Sequence, residues 1–452
     1  MCQFDLKQHP LDDDLGLELY HELTIRYAGR PLKFDTLGPM KKLFALSLLA
    51  LSGFSASLPS AAPEQNGMSS ERLNRINGVM NKHVEAADLA GASGLISRNG
   101  KIVFRGTWGD YKPDTIVRMY SMTKAVTGVA AMILYEDGRY SLNDPLSKYL
   151  PEFANTRVGK EGTDAAGKRT FYTVPLDHPI LVKDLFRHTT GLDYAGPKDE
   201  TGENVYRKIE MLGGAPLVSF DLAEATKRLA SVPLNEQPGT AFHYGYSIDV
   251  LGRLVEVLSG DTLDKFFEAR IFKPLGMKDT AFFVSEDKWS RLATLYTPKP
   301  EGARGIQKST MPAQESFKKK PNLMLGGAGL TSTLDDYARF YQMLLNNGQL
   351  DGVRILSPKG VEMMRTESLG GMPHMGVLPA YAGFGLTFAI NPSPGKSGEP
   401  ASEGSYWWGG AAGTSFWIDP KENMFGIFLI NILPPNTEAA QQFQRMAYQA
   451  IQ

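Results

Sequence analysis

Ser121 and Lys124 stand three residues apart at the head of an apolar run, Ala125 to Tyr135, whose spacing predicts a helix. Residues three apart share one helical face, with Cβ atoms about 5–6 Å from each other. The hydroxyl and the amine therefore meet. A neutral lysine so placed takes the proton of a serine that is otherwise a poor nucleophile. The serine also falls in the first turn, where unpaired N–H groups and the positive dipole end favour developing negative charge.

Spacing alone does not single this pair out. A chain with this content of serine and lysine carries roughly two Ser-x-x-Lys spacings by chance. The motif recurs at Ser285 and Lys288, at Ser316 and Lys319, and at Ser393 and Lys396. None of these opens a long apolar helix, and Ser393 runs directly into Pro394-Gly395. The setting is what distinguishes Ser121.

The elements that must position the pair follow from patterning. Ser70 to about Ala87 reads as an amphipathic helix with Ser69 or Ser70 at its N-cap. Two β-rich runs, Ser93–Arg98 and Lys101–Arg105, flank Asn99-Gly100, the strongest short hairpin signal. The Ser121 helix ends near Glu136-Asp137-Gly138. Many Pro and Gly breaks follow to about 325, with helical patterns at Val182–His188, Leu222–Ala230, Ile248–Leu258 and Leu263–Phe272. Leu334–Asn346 is a longer helix with Thr333 as cap and Gly348 just past its end. Phe384–Ile390, Thr414–Ile418 and Phe425–Ile430 read as strands, and Glu438 to Ile451 as a last helix. Strands at both ends with helices between predict an α+β fold: one antiparallel sheet built from both ends, flanked by helices, with a mainly helical lobe inserted.

The N-terminus calls for separate treatment. Met40-Lys41-Lys42 followed by the apolar run 43–51 reads as the start of a secretory signal peptide, with small residues at Ser60-Ala61-Ala62 as its cleavage region. The apolar core is too short for a permanent membrane span. The expected division is therefore an upstream extension at 1–39, a leader at 40–62 and a folded domain at 63–450. Within that domain, 63–115 and 325–452 supply the sheet lobe and 116–324 the helical lobe.

Composition narrows the chemistry further. Of 452 residues one is cysteine, Cys2, ahead of the leader, so the exported part offers no thiol nucleophile, disulfide or thiolate metal site. The seven histidines show no His-Glu-x-x-His run, which argues against a zinc hydrolase. A net charge of −1 leaves no electrostatic footprint for nucleic acid, and Lys318–Lys320 reads as a solvated loop.

Two further clusters complete the pattern. Pro238-Gly239-Thr240-Ala241-Phe242-His243-Tyr244-Gly245-Tyr246-Ser247 leads into Ile248-Asp249, and Trp408-Gly409-Gly410-Ala411-Ala412-Gly413-Thr414 precedes a strand. In order with Ser121 and Lys124, these resemble the serine β-lactamase and penicillin-binding-protein superfamily, closest to its class C-like branch and the family VIII carboxylesterases. Segments 144–153, 185–192, 326–333 and 351–356 are also similar, so the resemblance spans roughly 68–450. It implies a β-lactamase-like fold with the active site between sheet and helical lobe, and it implies no metal or other cofactor.

Carried over residue by residue, Ser121 is the nucleophile and Lys124 the base in acylation. Tyr244 shares their proton and returns one to the leaving alcohol. The N–H groups of Ser121 and Ala411 form the oxyanion hole, with Gly409 and Gly410 letting the strand edge approach substrate. A lysine base must be neutral, and moving its pKa from about 10.4 to near 7 requires roughly 5 kcal/mol. If Lys124 stays charged, an ionised Tyr244 is the base instead; both microstates fit the residues.

Departures from the pattern set the expected activity. Trp408-Gly409-Gly410 stands where penicillin-recognising members carry Lys-Thr-Gly, so the cation that holds a substrate carboxylate is replaced by an indole. Tyr246 stands where many β-lactamases have asparagine. A site lined by Trp408, Tyr246, Tyr120 and Trp407 favours uncharged ligands with apolar parts. The expectation is ester hydrolysis on a small molecule, with oligomeric state open. A β-lactamase or D,D-peptidase, an acyltransferase and a non-catalytic relative are the alternatives. No Gly-x-Ser-x-Gly elbow occurs, which excludes the usual α/β-hydrolase arrangement. His188, His243 and Asp249 are read as packing or capping residues.

Overall fold

The computed structural model describes residues 57–452, apart from 207–217, 436 and the side chain of Met375, together with three short segments near the N-terminus. Those segments, Gln3–Gln8, His21–Tyr27 and Arg30–Leu32, pair antiparallel in that order within a unit of their own, 1–56. The apolar leader core expected at 43–51 lies outside the described residues.

The second unit begins at Ser57, ahead of the expected domain start at 63. Leu58 is 4% exposed and belongs to the main core. Pro59 and Ala61 clamp the backbone of Ile102 through Ile102 N–H to Pro59 O (2.8 Å) and Ala61 N–H to Ile102 O (3.1 Å). Burying one such leucine contributes about 1.5–3 kcal/mol.

The sheet forms as expected from both ends. Helix α1, Ser70–Glu85, starts where Ser69 Oγ accepts the Arg72 N–H at 3.2 Å. Strands β1 (Gly91–Arg98) and β2 (Lys101–Gly109) turn at Asn99-Gly100, with φ of 54° and 74°, the left-handed pair a tight hairpin requires. Strands β3 (Gly383–Phe384), β4 (Ala389–Ile390), β5 (Tyr406–Gly409), β6 (Ser415–Asp419) and β7 (Met424–Leu429) complete a seven-stranded sheet ordered β3-β4-β5-β6-β7-β1-β2. Every pairing is antiparallel. Gly91–Ser97 and all of β7 are buried, because helices cover both faces of the sheet's centre. Helix α1 and the C-terminal helix Glu438–Gln449 cover one face, where Leu73, Ile76, Met80, Trp417, Phe428 and Phe443 make a second core.

Between the sheet halves lies the helical part. Helix α2, Thr123–Glu136, is buried from Thr123 to Leu134, which explains its nearly unbroken apolar run. Helix α3, Ser247–Ser259, packs beside it. Leu334–Leu345 is capped by Thr333, whose hydroxyl accepts from Asp336 N–H at 3.3 Å.

Three elements differ from expectation. Phe384–Ile390 is two strands around a tight reversal, closed by Gly385 N–H to Phe388 O at 2.8 Å with Thr387 at φ 77°. Leu263–Phe272 is an α-helical turn that widens into a π-helical one at Glu268–Phe272. A hairpin absent from the sequence reading pairs Arg157–Thr163 with Arg169–Pro175.

Candidate active site

Ser121 lies in a single 3₁₀ turn, Tyr120–Met122, that leads into α2 at Thr123, where the sequence reading placed it in the first α-helical turn. The turn is fixed from outside. Met119 N–H donates to Leu330 O at 2.9 Å, and Thr123 Oγ1 accepts the Leu330 N–H at 3.1 Å. The fully buried Arg118 donates to the carbonyls of Ala293, Ala313 and Gln314 at 2.7, 3.2 and 2.6 Å. These anchors hold Tyr120 at φ 45°, a left-handed conformation that costs a bulky residue about 1–3 kcal/mol and persists only where surroundings impose it. Tyr120 itself packs edge-on against Phe317 at 6.1 Å with its hydroxyl buried, so it backs the nucleophile turn.

Lys124 is 1% exposed, and its Nζ meets three oxygens: Gly327 O at 2.7 Å, Ser121 Oγ at 3.2 Å and Tyr194 OH at 3.2 Å. A neutral amine in this geometry keeps two N–H donors for Gly327 and Tyr194 and turns its lone pair to the Ser121 hydroxyl. Gly327 is held in turn by its N–H to Asp249 Oδ1 at 2.9 Å, and the neighbouring Gly326 O accepts from Thr127 Oγ1 at 2.6 Å. Asp249, 2% exposed, thus reaches the lysine through one residue, Gly327, and burial pushes its carboxyl up.

Tyr244 enters the same crevice by its ring, whose centroid is 4.6 Å from Lys124 Nζ. Its hydroxyl accepts from Trp408 Nε1 at 3.3 Å. The phenol in hydrogen-bond contact with the lysine is Tyr194, which sequence reasoning missed. Tyr194 lies two residues beyond Leu192, and its ring stands perpendicular to those of Tyr244 and Tyr246 at 5.6 and 4.8 Å. The residue is 37% exposed while its hydroxyl turns inward to Lys124. Burial of that end, then the neighbouring Tyr244 and Asp249, push its phenol well above the usual range.

Tyr246 is 4% exposed beneath Tyr194, so it supports the site from below instead of lining an open surface. Trp407, half-buried, lines a 230 Å³ cavity that also takes in Trp408, Gly409 and Gly410 and reaches Gln441 and Gln444 of the C-terminal helix. His188 is buried against Tyr244 at 4.8 Å, and burial depresses its basicity. His243 Nδ1 lies 4.0 Å from Asp193 Oδ2.

The glycine strand comes to the nucleophile turn closely. Strand β5 is paired with β4 only through Tyr406 and Trp407, so on that side no ladder partner follows Trp407. Thr414 Oγ1 donates to Met119 O at 3.3 Å, and a Cβ on Gly410 would fall 2.4 Å from that carbonyl. Only glycine fits. Among the described hydrogen bonds, neither the Ser121 nor the Ala411 N–H has an acceptor, and Ser121 sits in a first turn that supplies none.

The site thus holds a serine hydroxyl beside a buried amine, with glycine backbone brought up alongside. The family model named Beta-lactamase matches residues 76–451. The chain belongs to the beta-lactamase family. Among its relatives, Protein Rv1367c of Mycobacterium tuberculosis is 35% identical over 333 residues, covering 71% of this chain and 78% of that one. Esterase EstB of Burkholderia gladioli is 29% identical over 378 residues, covering 79% and 90%. The solved structure of EstCE1, described as a hydrolase with promiscuous acyltransferase activity, superposes with a TM-score of 0.69 at 25% identity, covering 84% of this chain and 99% of that one. The family and the fold expected from the three motifs both hold, and the chain is a hydrolase of the serine beta-lactamase and penicillin-binding-protein superfamily.

Proposed function

We propose that this protein is a carboxylesterase that works through an acyl-enzyme on Ser121. The observation that carries the reading is the hydrogen-bonded set Ser121 Oγ, Lys124 Nζ and Tyr194 OH beside the Trp408–Tyr244 pair. Ser121 Oγ attacks the ester carbonyl carbon while its proton passes to Lys124 Nζ. The oxyanion is met by the N–H groups of Ser121 and Ala411, each donor of this kind being worth about 3–4 kcal/mol in other enzymes. Collapse breaks the bond to the alkoxy oxygen, which leaves as the alcohol with the proton that Lys124 took from Ser121, relayed through the tyrosine side. Water then attacks the acyl-enzyme carbonyl, the bond to Ser121 Oγ breaks, the acid leaves and the water's proton restores the Ser121 hydroxyl.

Trp408 is what favours an ester over a β-lactam. Its indole spends its one N–H on Tyr244, and it leaves no cation at that position to hold a substrate carboxylate. Side-by-side assays with p-nitrophenyl butyrate and a chromogenic cephalosporin test this. Ester turnover that is abolished by Ser121→Ala supports it; a cephalosporin preference overturns it. The likeness to EstCE1 favours acyl transfer to an added alcohol as a second activity of the same acyl-enzyme. New esters formed in the presence of alcohol acceptors would register it.

We further propose that the chain is exported, with the leader cut upstream of Leu58. Cleavage after Ala62 would remove Leu58 from the core and strip Pro59–Ala61 from the sheet edge. Ser55-Ala56-Ser57 supplies small residues at the spacing a signal peptidase reads. The N-terminal peptide of protein recovered from the periplasm tests this: a start at 63 or later contradicts it.

A further inference from the structure

Tyr244 belongs to a segment with almost no ladder of its own. Phe242–His243 pairs over two residues with His374–Met375, and Tyr244 itself follows that pairing. Something else must fix its ring. The residues on either side of it both bond to His188: His243 N–H donates to His188 O at 2.7 Å, and Gly245 N–H donates to His188 Nδ1 at 3.4 Å. Gly239 N–H to Thr189 O, at 2.7 Å, holds the segment's start to the next residue along. The His188 ring also lies against the Tyr244 ring, 4.8 Å between centroids and 52° between planes. Phe242 and Phe384 close its other sides at 5.6 and 5.9 Å.

Resting on the acyl-enzyme reading above, we propose that His188 is the positioning residue for Tyr244, bracketing it through the backbone N–H of the residue on either side and through ring contact. Backbone ties on both flanking residues set the Tyr244 Cα–Cβ direction, and the packed ring sets its rotation. The ring is then presented to Lys124 and the hydroxyl to Trp408 without a regular strand to carry them. Gly245 donates to Nδ1, so that nitrogen is the acceptor and the proton of the neutral ring sits on Nε2. Burial keeps the ring neutral by disfavouring its protonation. His188 holds φ 55°, which asparagine and glycine tolerate and most residues do not.

That conformation supplies the test. His188→Asn keeps the backbone and offers an amide oxygen to the Gly245 N–H, while His188→Gly keeps the backbone and offers nothing. Expected for p-nitrophenyl butyrate is a kcat within about fivefold of the parent for Asn and at least 30-fold lower for Gly, with KM within about threefold. The decisive measurement is the double-mutant cycle with Tyr244→Phe, read both as kcat and as the rate at which a fluorophosphonate labels Ser121. If His188 acts through Tyr244, His188→Gly costs less than about threefold once the phenol is gone. Equal losses in both backgrounds, or an Asn variant as poor as Gly, overturn the proposal. A parent protein that labels but does not cleave esters sinks the esterase reading alone, since the labelling cycle still decides on His188. Absence of labelling overturns both.

Discussion

The two walls of the crevice are built by different means. Ser121 and Lys124 come from one turn of chain, three residues apart, and their helix is buried along most of its length. Tyr194, Tyr244 and Trp408 come from three distant segments and meet through ring packing at 5.2–5.6 Å and the Trp408–Tyr244 hydrogen bond of 3.3 Å, with Tyr194 also reaching Lys124 at 3.2 Å. The nucleophile wall inherits its geometry from helix periodicity and backbone anchors such as Arg118. The tyrosine wall joins a sheet strand at Trp408 to loop segments at Tyr244 and Tyr194, and one member, Tyr194, is 37% exposed. The Ser121–Lys124 side thus rests on one continuous buried element, whereas the tyrosine side depends on contacts between separate segments.

Substitutions should separate the two walls. The largest effect is expected from Ser121→Ala, with turnover down by about 10⁵-fold or more and fluorophosphonate labelling lost. Lys124→Met should lower kcat by about 10³–10⁴-fold while leaving the melting temperature unchanged or raised, because an apolar chain of similar length replaces a buried amine. A large fall in melting temperature would show that Lys124 holds the fold as much as the chemistry. Gly410→Ala should cost about 10²-fold in kcat, since its Cβ meets Met119 O at 2.4 Å and displaces the strand from the nucleophile turn. A variant of unchanged kcat would mean the oxyanion donors lie elsewhere. Tyr194→Phe should lower kcat by tens-fold with KM barely altered, as only the inward hydroxyl on Lys124 is lost. If it matches Lys124→Met instead, the phenol and the amine act as one unit.

The smallest effect is one of pH. His188 titrates lower in the folded protein than in the unfolded chain, so between its depressed value and about 6.5 the unfolded state binds more protons. Stability from this residue is fully present above about pH 6.5 and declines as pH falls below it. Urea midpoints measured from pH 7.5 to 5 should fall less steeply for His188→Asn than for the parent. Equal slopes would break the contrast, since the tyrosine wall would then carry no such proton linkage. Asp249, raised by burial, contributes with the opposite sign at more acidic pH: its stabilisation is present below the unfolded value and lost as pH rises through the folded one.

Much of the frame was legible because its signals are local. Asn99-Gly100 placed the β1–β2 hairpin, Ser69 and Thr333 placed two helix starts, and Leu222–Ala230 emerged with the bounds its apolar spacing implied. The misses have physical reasons. Phe384–Ile390 is buried throughout and apolar but for Thr387, and such a run reads alike whether it is one strand or two joined by a reversal. The 157–175 hairpin is largely polar and partly solvated on both faces, so alternation gives it no signature. Tyr194 carried no signal either, since a tyrosine in a loop declares nothing about where its hydroxyl points.

What the sequence by itself determined is the pairing of Ser121 with Lys124 and the need for small residues at 409 and 410, because helix pitch and the bulk of a side chain are properties of a few neighbouring residues. Which phenol touches the lysine, and which is engaged by the indole, only the tertiary structure decided. Those contacts depend on how His188, Trp408 and Asp249 pack around residues far from them in the chain, and no local rule specifies that packing.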